Sequence, residues 1–446
     1  MEIPLKASSA LVPSPKIRNV ESFVNFLHQN PSVKYLRLQW LDHTSTLRAR
    51  VIPIRLALQM FQNQSSIGIS KAALGLIQYD QIAPGFSPAG EYELVPCFEG
   101  LRLGERDGYA TVQGEFRERD GSEVPACPRT ALRRIVERAT MHGLSFLVGF
   151  EVEVVFLTTT QNSSPFTHAH SWSNVCALRS PQVMSAIEDM LAAFERSKIE
   201  LLQFHPESAP GQYEFVTGPL PPLESVDTLI ATRDIIYAVA EKHRMRATFI
   251  PKPYPMACGT GAHIHMSMTP GENYQSFYAG VLQHLRSILA FTYCNPASYD
   301  RMQDSFWCGG RYVAWGTQNR ETPLRKIEGS HWELKAMDGL ANPYLALAAI
   351  LGAGVQGVLD KRPLTAQDCQ SDPALLSVDE RRQLGIHEQL PATVDEAMSS
   401  LGEDGGLKEI LGNNLVETYF AVKAAELGKF MGMSDEGKRT FLLERY

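Results

Sequence analysis

The sequence predicts an α+β protein built as two units, and three observations carry the prediction. A hairpin pattern opens the chain, helix-period and strand-period segments mix after it, and a charged run rich in turn residues separates the two. The 446 residues are 44% hydrophobic and 20% charged, enough apolar material for a large core and for more than one domain.

The elements follow in chain order. "VKYLRLQWL" and "LRARVIP", within residues 33 to 53, flank the polar turn "DHTST" and predict a hairpin. The run "EFRERDGSEVPACP" marks the boundary, giving an N-terminal unit over residues 17–118 and a C-terminal unit over 124–446. "PRTALRRIVERATMHG" puts Leu132, Ile135, Val136 and Ala139 on one helical face, with Gly143 at its end. "GFEVEVVFL", residues 149 to 157, reads as a buried strand. "TTTQNSSPFTHAHSWSN" reads as a surface loop, and its His168 and His170 as loop residues before metal ligands. "VMSAIEDMLAAFERS" gathers Val183, Ile187, Met190, Leu191 and Phe194 on one face; "VDTLIATRDIIYAVAEKHRM" is a second amphipathic helix and "ATFI" a strand. "YLALAAILGAGV", from Tyr344, predicts a buried helix with Asn342 as N-cap and Pro343 at its first position. It is too short to span a bilayer. The chain after Val355 reads as largely helical and charged.

Composition narrows the function. The net charge of −7, with no concentrated basic patch, argues against nucleic acid. The opening "MEIPLKASSA" has no apolar core and does not read as a signal peptide. Seven scattered cysteines without a C-x-x-C argue for a reducing compartment. The expectation is a soluble cytoplasmic protein that binds no membrane.

The chemistry begins in "GFEVEVVFL". Glu151 and Glu153 alternate onto one strand face, roughly 7 Å apart, and repel each other unless a positive group sits between them. Glu207 and Glu214 bracket a Pro-Gly turn, His263 and His265 share another strand face, and Arg320, Arg325 and Glu333 cluster near residue 325. Each group alone has an ordinary reading: a solvated sheet face, hydrogen-bonded core histidines, surface arginines. Together, several carboxylates and an imidazole suit hard divalent cations such as Mg²⁺ or Mn²⁺ better than zinc. No phosphate-binding glycine loop occurs, so a nucleotide would be held by metals, arginines and strands.

In order, G-x-E-x-E, E-x-x-P-G-Q-x-E, P-K-P…G-x-G-x-H-x-H-x-S, N-R-x-x-P-x-R and E-x-K…N-P-Y-L resemble the glutamine synthetase family from about residue 30 onward. "WGTQNRETPLR" and "HWELKAMDGLANPYL" are most similar to the fungal FluG-type glutamine synthetase-like domain. The resemblance implies an N-terminal β-grasp domain and a catalytic domain whose antiparallel sheet forms a funnel ringed by helices. It implies homo-oligomers of stacked rings, decameric or dodecameric, with active sites between neighbouring subunits. It implies ATP as co-substrate with two or three Mg²⁺ or Mn²⁺ ions per site. Glu153, Glu207 and Glu214 match ligands of one metal, and Glu151, His263 and Glu333 those of a second. His265 and Ser267 match nucleotide contacts. Arg320 and Arg325 match phosphate contacts and, with Glu207, the catalytic set. Arg301 and Gly259 match contacts to the acid substrate.

The implied reaction converts a carboxylate into an acyl phosphate, which an amine then attacks. Departures from the family pattern fall on the substrate side. Cys258 replaces an asparagine, Lys335 an arginine, Trp307 the glutamate that closes over ammonium, Asn63 an aspartate, and His331 an adenine-side arginine. Lysine loses the arginine fork, and neither Asn63 nor Trp307 binds ammonium as a carboxylate does. The expectation is an ATP-dependent carboxylate–amine ligase using an amine other than ammonia, the acid being left open. A non-catalytic scaffold or developmental signalling protein, and a true glutamine synthetase, remain alternatives at this stage.

Overall fold

The computed structural model describes residues 17–77, 80–159, 164–165 and 171–446; His168 and His170 lie outside them. The first sheet contains β1 (Tyr35–Leu41), β2 (Leu47–Pro53), β3 (Ile67–Ser70), β4 (Glu91–Pro96), β5 (Arg102–Leu103) and β6 (Tyr109–Arg117). Its order is β2-β1-β6-β4-β3, with β5 on β6. The hairpin β1/β2 is paired from Tyr35↔Pro53 to Leu41↔Leu47, while β1 and β6 run parallel. Asp42 shapes the hairpin turn: its Oδ1 accepts the amides of Thr44 and Thr46 at 2.9 and 3.0 Å. Helices Val20–Gln29 and Ile54–Gln62 cover this sheet, burying Phe23, Ala57 and Phe61 against Leu36, Leu38 and Phe98.

The second sheet contains β7 (Ser145–Thr158), β8 (Leu201–Pro206), β9 (Gln212–Thr217), β10 (Met245–Thr248), β11 (Ile264–Thr269), β12 (Trp315–Thr317), β13 (Leu324–Glu328) and β14 (His331–Leu334). Its order is β12-β13-β14-β11-β7-β9-β8, with β10 also on β7. The pairs are antiparallel, as expected, except for β12/β13 at the sheet's edge, which is parallel. The predicted strand "ATFI" leaves the ladder after Thr248.

Helices Pro128–Met141, Pro181–Arg196 and Pro222–Lys242 form where the periodicity places them. Helix Pro343–Leu359 is buried along almost its whole length, and Asn342 caps it by accepting the amides of Tyr344 and Leu345. It crosses helix Tyr274–Thr292 so closely that a Cβ on Gly280 would stand 2.3 Å from the Ala353 carbonyl oxygen. Only glycine permits that approach.

The charged run near residue 120 is a salt-bridged turn. Arg133 and Arg134 both bind Glu123, and the buried Arg129 joins Glu115 of β6 to Asp227 at 3.0 and 2.9 Å. Asn342 and the Ala341 carbonyl also hold the β1/β2 turn, so it abuts the start of the central helix. Among the described residues no helix is long and apolar enough to cross a membrane. All seven cysteines are free thiols.

Candidate active site

β7 is the hub of the site. Its register sets Glu153 opposite Glu214 of β9 and Phe150 opposite Ile264 of β11, while β11 sets His265 opposite Glu333 of β14. Carboxylates and imidazoles far apart in sequence therefore meet on one sheet face.

Two groups there have the spacing of a cation's ligands, with one donor atom from each residue within 4.8 Å of the others. They are Glu151, His265 and Glu333, and His205, Glu207 and Glu214. Glu151 is bracketed by both imidazoles, His263 Nδ1 at 2.6 Å and His265 Nε2 at 3.0 Å. Arg301 Nη2 lies 2.7 Å from His263 Nε2. An arginine only donates, so Nε2 accepts and the ring proton sits on Nδ1, facing Glu151. In this arrangement both His263 nitrogens are engaged, and His265 supplies the imidazole of the ligand-spaced group. Lys335 Nζ bonds Glu333 Oε1 at 3.0 Å, and Arg325 binds the other oxygen of Glu333 at 3.0 Å.

Glu153, opposite Glu214 of the second group, is held from behind. Glu153 Oε2 accepts Gln212 Nε2 and the Gly261 amide, each at 2.8 Å, and Gln212 Nε2 also reaches the Gly259 carbonyl at 3.1 Å. His205 Nε2 lies 3.2 Å from Glu207 Oε1. A Cβ on Gly261 would come within 2.5 to 2.9 Å of His263, Arg301 and Glu153, so only glycine leaves room where these groups converge.

The electrostatics divide the carboxylates. Burial, and then the negative charge of Glu207, push Glu153 up to about 7. Burial and the neighbouring glutamates hold Glu214 well above the usual range. Burial opposes ionisation at Glu333 as well, but Lys335 together with His263 and His265 outweighs it and brings that carboxyl down to about 2. At Glu151 the two histidines overcome burial and hold it well below the usual range. Burial and Lys335 pull His263 down to about 4 and keep it neutral. The Glu153–Glu214 side is short of positive charge, which divalent cations would supply. An all-oxygen-and-imidazole donor set fits Mg²⁺ or Mn²⁺.

Beside these groups lies a cavity of about 340 Å³. Glu151, Glu153, Glu207, Glu214, His263, Cys258, Gly259, Arg301, Trp307, Arg320 and Lys335 all line it. A second cavity, of about 330 Å³, shares Glu151 with the first and is lined by His265, Ser267 and His331. His331 Nε2 stands 3.0 Å from His265 Nδ1. Arg325 lines neither cavity and faces Glu333 and Gln318. Arg301 is buried and aimed by the Tyr293 hydroxyl at 2.6 Å and the Lys335 carbonyl at 3.2 Å. Asn63 sits at the end of helix Ile54–Gln62 and does not line the cavity.

Sequence reasoning passed over Gln212, His205, Tyr293 and Trp172. For the first two a signal existed: Gln212 precedes Glu214, and His205 precedes Glu207, by two residues, so each shares a strand face with a glutamate. Tyr293 and Trp172 carry no such pattern.

Residues 125–440 match the family model "Glutamine synthetase, catalytic domain", and the chain belongs to that family. The class this match defines is the glutamine synthetase-like proteins. The FluG protein of Emericella nidulans is 41% identical over 97% of this chain and 51% of its own length, so the chain spans about half of that relative. The γ-glutamylpolyamine synthetase GlnA3 of Streptomyces coelicolor is 34% identical, over 79% of this chain and 80% of its own. A solved glutamine synthase homolog superposes with a TM-score of 0.79 at 28% identity, covering 93% of this chain and 99% of that one. A GmaS/ADP complex shares the fold with a TM-score of 0.81 at 24% identity, covering 94% and 99% of the two chains.

Proposed function

We propose that the chain is an ATP-dependent carbon–nitrogen ligase that joins an acyl phosphate to an amine other than ammonia. One observation carries the reading. Trp307 lines the cavity at the position where the family pattern calls for an ammonium-binding glutamate. Asp304, the nearest acidic substitute in sequence, is locked to Arg311 at 3.0 Å and does not line the cavity. Ammonium needs a carboxylate to hold it and take its proton, and an indole supplies neither. The name of GlnA3 points the same way, toward an organic amine.

The remaining residues have roles in this scheme. Glu153, Glu207 and Glu214, with Glu151, Glu333 and a histidine (His265 or His263), would hold two or three Mg²⁺ or Mn²⁺ ions. Those ions, when bound, offset the charge of the ATP phosphates. Arg320, exposed on the cavity wall, meets the transferring phosphoryl group, and Arg325 supports it from across Glu333. Arg301, Lys335, Cys258 and the Gly259 backbone receive the acid. His265 and Ser267 face the nucleotide. A carboxylate is a poor electrophile until phosphorylated, and the cavity must then keep water from the acyl phosphate. Residues 17–118 and 124–446 act as the two domains, and rings of ten or twelve copies in the cytoplasm are part of the same proposal. ATP turnover measured against panels of acids and amines tests it. Turnover confined to glutamate plus ammonia would return the chain to the true glutamine synthetases.

A further inference from the structure

We infer that Trp172 and Trp307 form an aromatic corner that receives the carbon body of the amine, an organic primary amine whose far end is apolar. The inference rests on the ligase reading above and specifies its second substrate.

The two indoles arrive from separate loops and stand nearly perpendicular, 88° apart with centroids at 6.4 Å. Trp172 meets His205 in the same way, at 6.1 Å and 89°, so the corner opens beside Glu207. Trp172, Phe306 and Trp307 all line the cavity, yet they are 48%, 50% and 56% exposed. Three large aromatics left in water at the mouth of a polar site are surface waiting for a partner.

The loop holds Trp307 there against its own preference. Trp307 and Ser305 adopt φ of 58° and 61°, a left-handed conformation that side chains with a Cβ rarely take. Their anchors lie behind the loop: the Trp307 amide donates to Glu321 Oε1 at 3.0 Å, and Ser305 Oγ donates to Asp372 at 2.6 Å. Strain kept in place by bonds on the far side is a mark of a positioned functional residue. Glu321 follows Arg320 directly, so the corner is registered to the phosphoryl end of the cavity.

Charge decides the far end of the amine. The cations on the cavity wall are Arg301, Arg320 and Lys335. The nearby carboxylates outside the cation-binding groups stand behind the wall: Asp304 is paired with Arg311, Glu321 and Asp372 anchor the loop, and none of the three lines the cavity. Among the described residues, a second ammonium on the substrate would meet positive charge and no lining carboxylate beyond the cation-binding groups, whereas an alkyl or aryl group gains by covering indole. In the reaction the amine lone pair forms the C–N bond. The acyl C–O bond to phosphate breaks with its electrons on the phosphate, and the released phosphate takes one amine proton.

The test uses the full chain with ATP, Mg²⁺ and a panel of amino acids and dicarboxylic acids. Hydroxylamine serves as a small nucleophile that traps the acyl phosphate as hydroxamate. n-Butylamine, putrescine and ammonia are compared; the first two share a carbon chain and differ in the terminal charge. We expect kcat/KM for n-butylamine to exceed that for ammonia and for putrescine. Trp307→Ala and Trp172→Ala should each lower the n-butylamine to hydroxylamine ratio by about 10- to 100-fold, the loss of one aromatic contact face. Hydroxamate formation combined with a preference for ammonia, or with a ratio that neither variant moves, overturns the corner and leaves the ligase standing. Preference for putrescine overturns the apolar far end. Absence of both hydroxamate and acid-dependent ADP release overturns the ligase reading, and the corner with it.

Discussion

Replacing Glu153 by glutamine should make the metal-free protein more stable at alkaline pH while removing its grip on divalent cations. Glu153 is buried, and burial together with Glu207 raises its carboxyl from an ordinary 4.5 to about 7. A carboxyl whose folded value lies above its unfolded one binds its proton more tightly when folded. The chain therefore loses stability as pH rises through that interval and carries the full penalty above 7. A difference of about 2.5, at about 1.4 kcal/mol each, sets a ceiling near 3.5 kcal/mol. Glutamine keeps the shape, and its carbonyl oxygen still accepts the Gly261 amide and Gln212 Nε2. It carries no charge to be repelled. In EDTA at pH 8, urea unfolding of Glu153→Gln should therefore show a gain approaching that ceiling, shrinking toward zero at pH 5. Mn²⁺ should stabilise the native chain at pH 8, with proton release on binding near neutrality, and should leave the variant unmoved. A variant no more stable than the native chain in EDTA at pH 8, or one that binds Mn²⁺ equally well, would refute the claim that this carboxylate is held under repulsion for a cation.

Three further outcomes are expected. Gln212→Leu removes the amide that holds Glu153 and should weaken Mn²⁺ binding by about 10- to 100-fold, read by calorimetry, with the circular dichroism spectrum retained. His43 is buried, with Nε2 on the Ala126 carbonyl and no partner for Nδ1 among the described residues, and burial lowers it from 6.5 to about 4. The unfolded chain protonates first, so stability should fall by up to about 3 kcal/mol as pH drops from 6.5 to 4, and His43→Gln should flatten that slope in thermal melts. Gly280→Ala places a methyl 2.3 Å from the Ala353 carbonyl and 2.9 Å from the Gly357 Cα, and should cost about 1–3 kcal/mol in urea midpoint analysis.

Much of the fold was legible because its signals are local. The turn between Leu41 and Leu47, the cap at Asn342 and the apolar face holding Leu132 and Ile135 depend on neighbours within a few residues. The edge pair β12/β13 is parallel, which alternation within each strand does not reveal because it is blind to direction. Phe249 follows the apolar pattern of β10 yet leaves the ladder, since its amide binds the carbonyl of Tyr446 at the far end of the chain.

Within the site, strand alternation alone placed Glu151 and Glu153 on a shared face, and the ordered motifs were enough to name their companions. Which imidazole has a ligand's spacing was decided by tertiary structure: Arg301, brought in from another segment, occupies His263 Nε2, while His265 falls within that spacing of Glu151 and Glu333. The clamp of Gln212 on Glu153, the Tyr293 support of Arg301 and the meeting of Trp172 with Trp307 arose in the same way. The physical reason is range. Side-chain direction along a strand is set by backbone geometry one residue at a time, whereas pKa, lone-pair availability and cavity lining depend on charges and rings that only folding brings within a few ångströms.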